Sequence, residues 1–298
     1  MMQFIKPVQI GDAQFISSTR AENDHAAWSG ATTYAQDARV ILASTHRIYL
    51  STQAGNLNHD PATDDGTWWL DVGPTNRWAM LDAVVGTVTA QASPLTVTLK
   101  PGFITSLALL DIAGTSITVT MTDGPGGPTV YNRSFDVSDT AILTDWWEYF
   151  YAQITPNKTL VISDLPPYET GHLSVSIAAA GTAQCGTLAV GQAVDVGDIA
   201  YGARIGITDY SRKETDDWGG SYVSQRAFAK RFEVIASIPA TRVDYVAAQF
   251  AAIRATPVIW LGGTQYDSLL AFGWLRDWGI NIAYPTYSEA SMTIEGLT

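Results

Sequence analysis

The chain has 298 residues, of which 46% are hydrophobic, 15% are charged and 11% are aromatic, and its net charge is −12. A chain of this size can bury a substantial core, and its length predicts two or three domains. The acidic balance argues against a general nucleic-acid binder, which needs a basic face, and against adsorption to anionic lipid.

Cys185 is the only cysteine, so the chain cannot form an intrachain disulfide or a thiolate metal cage by itself. The first residues, MMQFIKPVQIGDAQF, lack the apolar run of a signal peptide, and no window approaches the roughly 18 apolar residues of a membrane span. We therefore expect a product made in the cytoplasm, with no membrane span and no cofactor.

Residues 1–20 are predicted to form a strand or arm, and residues 21–73 a small aromatic β domain. The second segment has few aliphatic residues but five large rings: Trp28, Tyr34, Tyr49, Trp68 and Trp69. Because aromatic rings supply apolar area that so small a core lacks, each ring is either part of the core or exposed for a ligand.

Strand alternation in the stretch TWWLDVG distinguishes these two roles. If Trp68, Leu70 and Val72 face the core, Trp69 faces water. An exposed indole beside Asn, Asp and Thr suits a pyranose ring, whose C–H face packs on the aromatic plane.

The carbohydrate contacts predicted from this pattern are Trp69, Trp68 and Tyr34. Trp28 and Tyr49 are assigned to the core. The polar stretch NLNHDPATDDG, which precedes the tryptophan pair, supplies hydrogen-bonding groups for sugar hydroxyls.

Residues 74–195 alternate β-branched or aliphatic residues with polar ones between Gly and Pro turns, as in SPLTVTLKPG, TSITVTMTDGPGG, KTLVISDLPP and HLSVSIAAAG. Leu95, Val97 and Leu99 share one strand face, which is typical of a sheet with one dry side. The rhythm predicts a jelly-roll-like β-sandwich.

Residues 196–298 are predicted to form an α+β domain. The stretch TRVDYVAAQFAAIRAT places Val243, Val246, Phe250 and Ile253 on one stripe of a long helix. Strands are predicted on both sides, from QRAFAKRFEVIAS before the helix and from PVIWLGG and SMTIEGLT after it. The fold class is therefore mainly β with a carboxyl-terminal α+β domain.

A cluster of basic and aromatic residues precedes this helix. In a strand, Arg226, Phe228 and Lys230 share one face with Phe232. Aromatic and arginine enrichment is typical of interface centres, so Arg226, Phe228, Lys230 and Arg231 are predicted to form a subunit contact. A charged edge strand that discourages aggregation explains the pattern equally well.

The aromatic segment resembles a known module. AWSGATTYAQDARV, RIYLSTQAGNLNHDPA and WWLDVG together are similar to the small chitin-binding-type carbohydrate-binding module, with its sequence of Trp, Tyr, a second Tyr and a late Trp. This resemblance covers about 50 residues and implies sugar binding by exposed rings.

A wider resemblance covers nearly the whole chain. WLDVGPTNRWAMLD, ITDYSRKETDDWGG, QRAFAKR and the ending WLRDWGINIAYPTYSEASMTIEGLT are similar to virion proteins of tailed bacteriophages that carry such a module near the amino terminus. The resemblance implies a tail or tail-tip component, located in the virion and made in the host cytoplasm, with other tail proteins as partners.

Catalytic signatures are sparse in the sequence. The four histidines form no i, i+4 pair or HExxH pattern, and no GxSxG, P-loop or GxGxxG stretch occurs, so no catalytic or metal residues are assigned. Glycoside hydrolysis needs only two carboxylates, and Asp145 and Glu148 in TDWWEYF are the candidate pair for such an enzyme. The structural explanation of the same stretch is that its aromatic residues pack on a sandwich edge. Calcium binding by Asp60, Asp64 and Asp65 is a further alternative to a solvated turn.

We expect a nonenzymatic virion component that binds a bacterial surface glycan and assembles as a homo-oligomer. Two alternatives stand beside it. One is a glycan-degrading tail enzyme, and the other is an architectural protein whose module binds no sugar.

Overall fold

The computed structural model of the chain describes residues 1–137, 145–151, 156–216, 218–263 and 266–297. Strands account for 52% of it and helices for 8%, which confirms the prediction of a mainly β fold. The strands, in chain order, are β1 (Met2–Pro7), β2 (Phe15–Ser18), β3 (Thr33–Tyr34), β4 (Arg39–Leu42), β5 (Arg47–Ser51), β6 (Asn56–Leu57), β7 (Trp69–Pro74), β8 (Thr89–Ala92), β9 (Leu95–Leu99), β10 (Ser106–Ala113), β11 (Ser116–Asp123), β12 (Thr129–Asp136), β13 (Thr159–Ile162), β14 (Gly171–Ala178), β15 (Thr182–Ile199), β16 (Arg204–Asp209), β17 (Arg212–Thr215), β18 (Ser221–Ser224), β19 (Phe228–Pro239), β20 (Val258–Leu261), β21 (Leu270–Asn281) and β22 (Tyr287–Gly296). The α-helices in the described ranges are α1 (Trp146–Tyr151) and α2 (Val243–Ala252), and 3-10 turns lie at Ala79–Leu81, Ala240–Arg242 and Asp267–Leu269.

A β-sandwich occupies the middle of the chain. One sheet has the order β12-β11-β14-β9-β2, and the other has the order β13-β10-β15 with β8 also paired to β15. The predicted alternation is confirmed, because Leu95, Val97 and Leu99 are all buried in one core between the sheets. The strands β9, β11 and β14 each bury every second residue, as expected for sheets that are dry on one side.

The amino-terminal strand and the carboxyl-terminal strands form a closed barrel. The hydrogen-bonded order runs β15-β1-β20-β21-β22-β19 and returns to β15 through the pairs Asp198↔Ser237 and Ile199↔Ala236. Closure occurs next to Gly197, where φ is +149° and an added Cβ would lie 2.2 Å from the Ser237 carbonyl oxygen. Only glycine fits such a close approach of two strands without strain.

Helix α2 packs its predicted stripe into this barrel. Val246, Phe250 and Ile253 are fully buried in the barrel core. The Phe250 ring lies 6.4 Å from the ring of Phe4 and also 6.4 Å from that of Trp260. The helix is therefore held by the same side chains that fill the barrel, and the period of its apolar residues identified it correctly.

Strand β15 runs through both cores. Its first half pairs with β10 and contributes Cys185, Leu188 and Val190 to the sandwich core, whereas its second half pairs with β1 and contributes Val196 to the barrel core. The predicted boundary after residue 195 therefore lies inside a strand. The predicted arm, residues 1–20, is also divided, since β1 belongs to the barrel and β2 to the sandwich.

The aromatic segment forms a separate small module of two sheets, β4-β5-β7 and β3-β6. Its core consists of Val40, Tyr49 and Trp69, with four further apolar side chains partly buried around them: Trp28, Tyr34, Leu42 and Trp68. The module thus has the aromatic core that its composition predicts.

His46 anchors the module to the sandwich. Its Nδ1 lies 3.0 Å from a Glu22 carboxylate oxygen and its Nε2 lies 2.9 Å from one of Asp12. The imidazole also stacks on the Trp78 indole, with ring centroids 4.0 Å apart. The Thr75 hydroxyl donates to the same Glu22 carboxylate, so the ends of the module are tied together where they enter the rest of the chain.

Cys185 is predicted to be unreactive in the folded protein, because burial raises the pKa of its thiol to about 12 and the thiolate is the reactive form. Dithionitrobenzoate should modify it no faster than the chain unfolds, and fully once urea has unfolded the chain. Rapid modification of one thiol per native chain would contradict this prediction.

Candidate functional site

Trp68 presents a flat aromatic surface on the module. Its indole stacks on the His59 imidazole, with ring centroids 4.0 Å apart and planes inclined by 10°. Both side chains are half-buried, and Trp68 also packs against the module core. Part of the Trp68 ring is therefore accessible, as stacking on a sugar requires.

Trp69 lies in the core, and the prediction that it faces solvent is wrong. Only 3% of the residue is exposed, whereas Leu70 and Val72 are 54% and 46% exposed. The reason is the strand register, because Trp69 lies opposite Ser51 in β5, two residues from Tyr49, and therefore faces the same side as Tyr49.

The contacts of Trp69 explain why this register is stable. Its Nε1 donates a hydrogen bond to the His59 carbonyl oxygen at 2.8 Å, so the buried indole N–H is satisfied. The Tyr34 ring packs edge-on against it at 5.2 Å, and the Tyr34 hydroxyl accepts a hydrogen bond from the Ser29 amide. Of the three predicted contacts, Trp69 is therefore buried, whereas Tyr34 and Trp68 are both half-buried at the edge of the module core.

The acidic turn before the tryptophan pair positions Trp68. The Asp64 carboxylate accepts hydrogen bonds from the amides of Gly66, Trp68 and Trp69. Asp65 accepts from the Thr67 hydroxyl and amide, which together hold the pKa of the Asp65 carboxyl below its ordinary value. These carboxylates therefore fix the turn.

Asp60 serves the same turn, since its carboxylate accepts a hydrogen bond from the Ala62 amide. Within the described ranges, no three or more His, Cys, Asp or Glu side chains are grouped so that they could hold a metal ion. The three aspartates that were considered as calcium ligands thus accept hydrogen bonds within the turn.

Two further residues of the module lie close to Gly30. An added Cβ on Gly30 would lie 2.7 Å from the Asn58 Oδ1 atom and 3.6 Å from the Trp28 ring, so Asn58 and Trp28 are both neighbours of Gly30. Asn58 precedes His59 and has a φ of +58°, a conformation that asparagine tolerates better than most residues. We call Trp28, Asn58, His59 and Trp68 the aromatic face of the module.

Asn58 and His59 were not among the predicted contacts. The only sequence signal for them is their place in the polar stretch NLNHDPATDDG, which offers several equivalent hydrogen-bonding residues. The stacking of His59 on Trp68 follows from tertiary structure.

A cleft of about 640 Å³ lies where the module, the sandwich and the barrel meet. Its walls include His46 and Pro74 of the module, Trp78 and Asp82 beside the sandwich, and Phe272 of the barrel. Burial raises the pKa of the Asp82 carboxyl, and hydrogen bonds from the Thr87 hydroxyl and the Val84 amide oppose this rise.

Only part of the predicted subunit contact lies on an exposed surface. Phe228 and Lys230 are exposed at the start of β19, and Arg226 is exposed before the strand begins. Phe232 was predicted on the same face, but it is fully buried in the barrel core. Arg231 is half-buried and donates a hydrogen bond to Glu233. The shared face ends where β19 enters the barrel wall, which covers Phe232.

Of the alternative catalytic pair, Asp145 directly precedes helix α1 and Glu148 lies within it. The side chains of Glu148 and Tyr149 lie outside the described residues. Trp146, Trp147 and Phe150 are 78%, 67% and 69% exposed, so these three rings do not bury most of their surface on a sandwich edge.

Comparison of the chain with protein-family models, curated proteins and solved structures finds no match. Of the helices within the described residues, none has the length and apolar character that a membrane crossing requires.

The two neighbouring tryptophans should differ sharply in their effect on stability. Trp69→Ala removes a buried ring and leaves the His59 carbonyl oxygen without its hydrogen-bond donor. We expect the free energy of unfolding to fall by about 3–5 kcal/mol. Trp68→Ala removes a half-exposed ring and should cost far less. Urea denaturation of both variants measures the difference, and equal losses would contradict the assigned orientations.

Asp82→Asn should alter the pH dependence of stability. Because the folded-state pKa of Asp82 is raised above its ordinary value of 3.8, the folded chain binds more protons than the unfolded chain between these two values. The stability that Asp82 contributes is therefore lost as pH rises through this window. Relative to the wild type, the variant should gain stability in urea denaturation as pH rises above 3.8 and through the raised folded-state pKa of Asp82. A stability difference that does not change with pH would contradict the assignment.

Proposed function

We propose that this chain is a nonenzymatic virion component of a tailed bacteriophage that binds host-surface glycan through the aromatic face of its module. In this proposal it belongs to the tail tip, baseplate or fibre-attachment region and contacts other tail proteins through its carboxyl-terminal part. The observation that carries the glycan-binding part is the half-buried Trp68 ring stacked on His59. The tail assignment is supported by the sequence resemblance.

A sugar ring binds well to a surface with this arrangement. The accessible part of the Trp68 ring supplies apolar surface for pyranose C–H groups, and the neighbouring residues Asn58 and His59 supply hydrogen-bonding groups for hydroxyls. His59 and the Asp64 turn fix the plate before the ligand arrives, which reduces the entropy lost on binding. The ligand class is therefore a neutral or weakly charged glycan.

One stacking ring makes a weak site by itself. Many copies on one particle raise avidity by about 10²–10⁴ when their geometry allows simultaneous engagement. A virion component present in several copies therefore suits a module with a single exposed plate, and homo-oligomerisation is part of the proposal.

An architectural role for the module is the second candidate, and the buried Trp69 ring favours it. In that case the aromatic face contacts a neighbouring subunit and binds no sugar. The two candidates predict different effects of losing Trp68. A sugar site predicts weaker glycan binding by the purified chain, whereas an architectural role predicts impaired incorporation into particles.

Trp68→Ala should weaken glycan binding by about tenfold or more, which corresponds to about 1.4 kcal/mol of lost stacking. The measurement is a pull-down of the purified chain with chitin and with purified bacterial surface polysaccharide, followed by calorimetry on whichever binds. Leu70→Ala is the matched control, since Leu70 is exposed two residues away and should leave binding unchanged.

Retained binding by Trp68→Ala would refute a sugar site at Trp68. Unchanged glycan binding together with failed incorporation into particles would instead support the architectural role. Release of new reducing ends from the polysaccharide by the wild-type chain would contradict the nonenzymatic assignment.

A further inference from the structure

Strand β16 leaves an open edge on the large sheet. It is the last strand in the order and pairs only with β19 among the described residues, with Ile205 opposite Phe232 and Asp209 opposite Phe228. The second edge of such a strand carries backbone N–H and C=O groups that are free to pair with another strand.

The side chains of β16 do not protect this edge. Proteins usually guard an exposed edge with lysine, proline or a bulge, and the segment Arg204–Asp209 has none of these between its charged ends. Ile205 and Ile207 are 51% and 60% exposed. By contrast, β12, an edge strand of the sandwich, carries Arg133 within its span and Asp136 at its end.

The apolar surface continues beyond the strand. A cavity of about 570 Å³ beside Ile205 is lined by Met1, Tyr201, Tyr266 and Leu269. Of these four, all but Leu269 are exposed, as is Phe228 at the far end of the pairing. A connected apolar patch along an unpaired edge is typical of a protein interface.

The sequence of β16 is self-complementary in one arrangement. When two copies run antiparallel about a two-fold axis at Gly206, Ile205 lies opposite Ile207 of the second copy, and the paired side chains share a face. Each Arg204 then lies opposite the uncharged Thr208 of the second copy, so no like charges are paired. A parallel arrangement would instead bring like charges together.

We propose that two copies of this chain join through β16, pairing antiparallel about Gly206 to form one continuous sheet across the dimer. This inference rests on the assembly part of the proposed function and names the partner as a second copy. It is independent of glycan binding, because the aromatic face belongs to the module and β16 to the edge of the barrel.

A cysteine at the axis tests the pairing directly. The Cα atoms of directly opposed antiparallel residues lie about 4.5–5.5 Å apart, within the range for a disulfide. The variant Gly206→Cys should therefore form a covalent dimer on mild oxidation. An added Cβ there meets only the Arg231 carbonyl oxygen, at 4.0 Å, and the native Cys185 is buried.

Thr208→Cys is the matched control. Thr208 lies two residues from the axis in each copy. The Cα atoms of the two Thr208 residues would therefore be about 13 Å apart along the strands, which is too far for a disulfide. Cross-linking of Gly206→Cys alone supports the proposal. Equal cross-linking of both variants, or of neither, overturns it.

Sedimentation of the full chain without added cysteines gives a second measurement. The wild type should sediment as a dimer of the 32.1 kDa chain, and Ile205→Lys/Ile207→Lys as a folded monomer. Ile16→Lys, at an exposed isoleucine in edge strand β2, should remain dimeric. A monomeric wild type would overturn the proposal and leave a different protein as the occupant of this edge.

Measuring glycan affinity for the same proteins distinguishes a failure of the β16 pairing from a failure of the proposed sugar site. Calorimetric affinity per chain should be equal for the wild type and the double lysine variant. A wild type that is monomeric and binds glycan would refute only the β16 pairing, whereas a wild type that is dimeric and binds none would refute only the sugar site.

Discussion

The continuous pairing of β15 is the constraint on which the rest of the structure depends. One strand of 18 residues carries side chains into the sandwich core at Cys185 and into the barrel core at Val196. The sandwich and the barrel cannot separate without breaking the hydrogen bonds of this strand. Because β1 pairs with its second half, the two ends of the chain are held in the same body, and the module is presented from a rigid support.

Aromatic rings form most of the hydrophobic core of the small module. A domain of this length has little aliphatic core, so Trp69 supplies buried area and satisfies its N–H on the His59 carbonyl. With Trp69 facing the core, Trp68 lies just before the strand, half-buried and held by the Asp64 turn and by His59. The positions of both tryptophans thus follow from one register.

The two proposed contact surfaces lie in different parts of the fold. The aromatic face belongs to the module, and the open edge of β16 belongs to the barrel. Self-association through an edge outside the module would multiply the weak contacts of the proposed sugar site without altering any single one. His46 stacked on Trp78 fixes how the module sits on the sandwich, so a dimer would hold two plates in a defined relation.

Local patterns in the sequence determined most of the elements. The two-residue alternation in Leu95–Leu99 and the helical stripe around Phe250 depend only on neighbouring residues, and the structure confirms both. Tertiary structure alone decided the pairing of β1 with β15, nearly two hundred residues away, and the direction in which Trp69 points. A one-residue change of register exchanges the two faces of a strand, and that register is set by the partner strand β5 through a bulge between Ile48 and Tyr49.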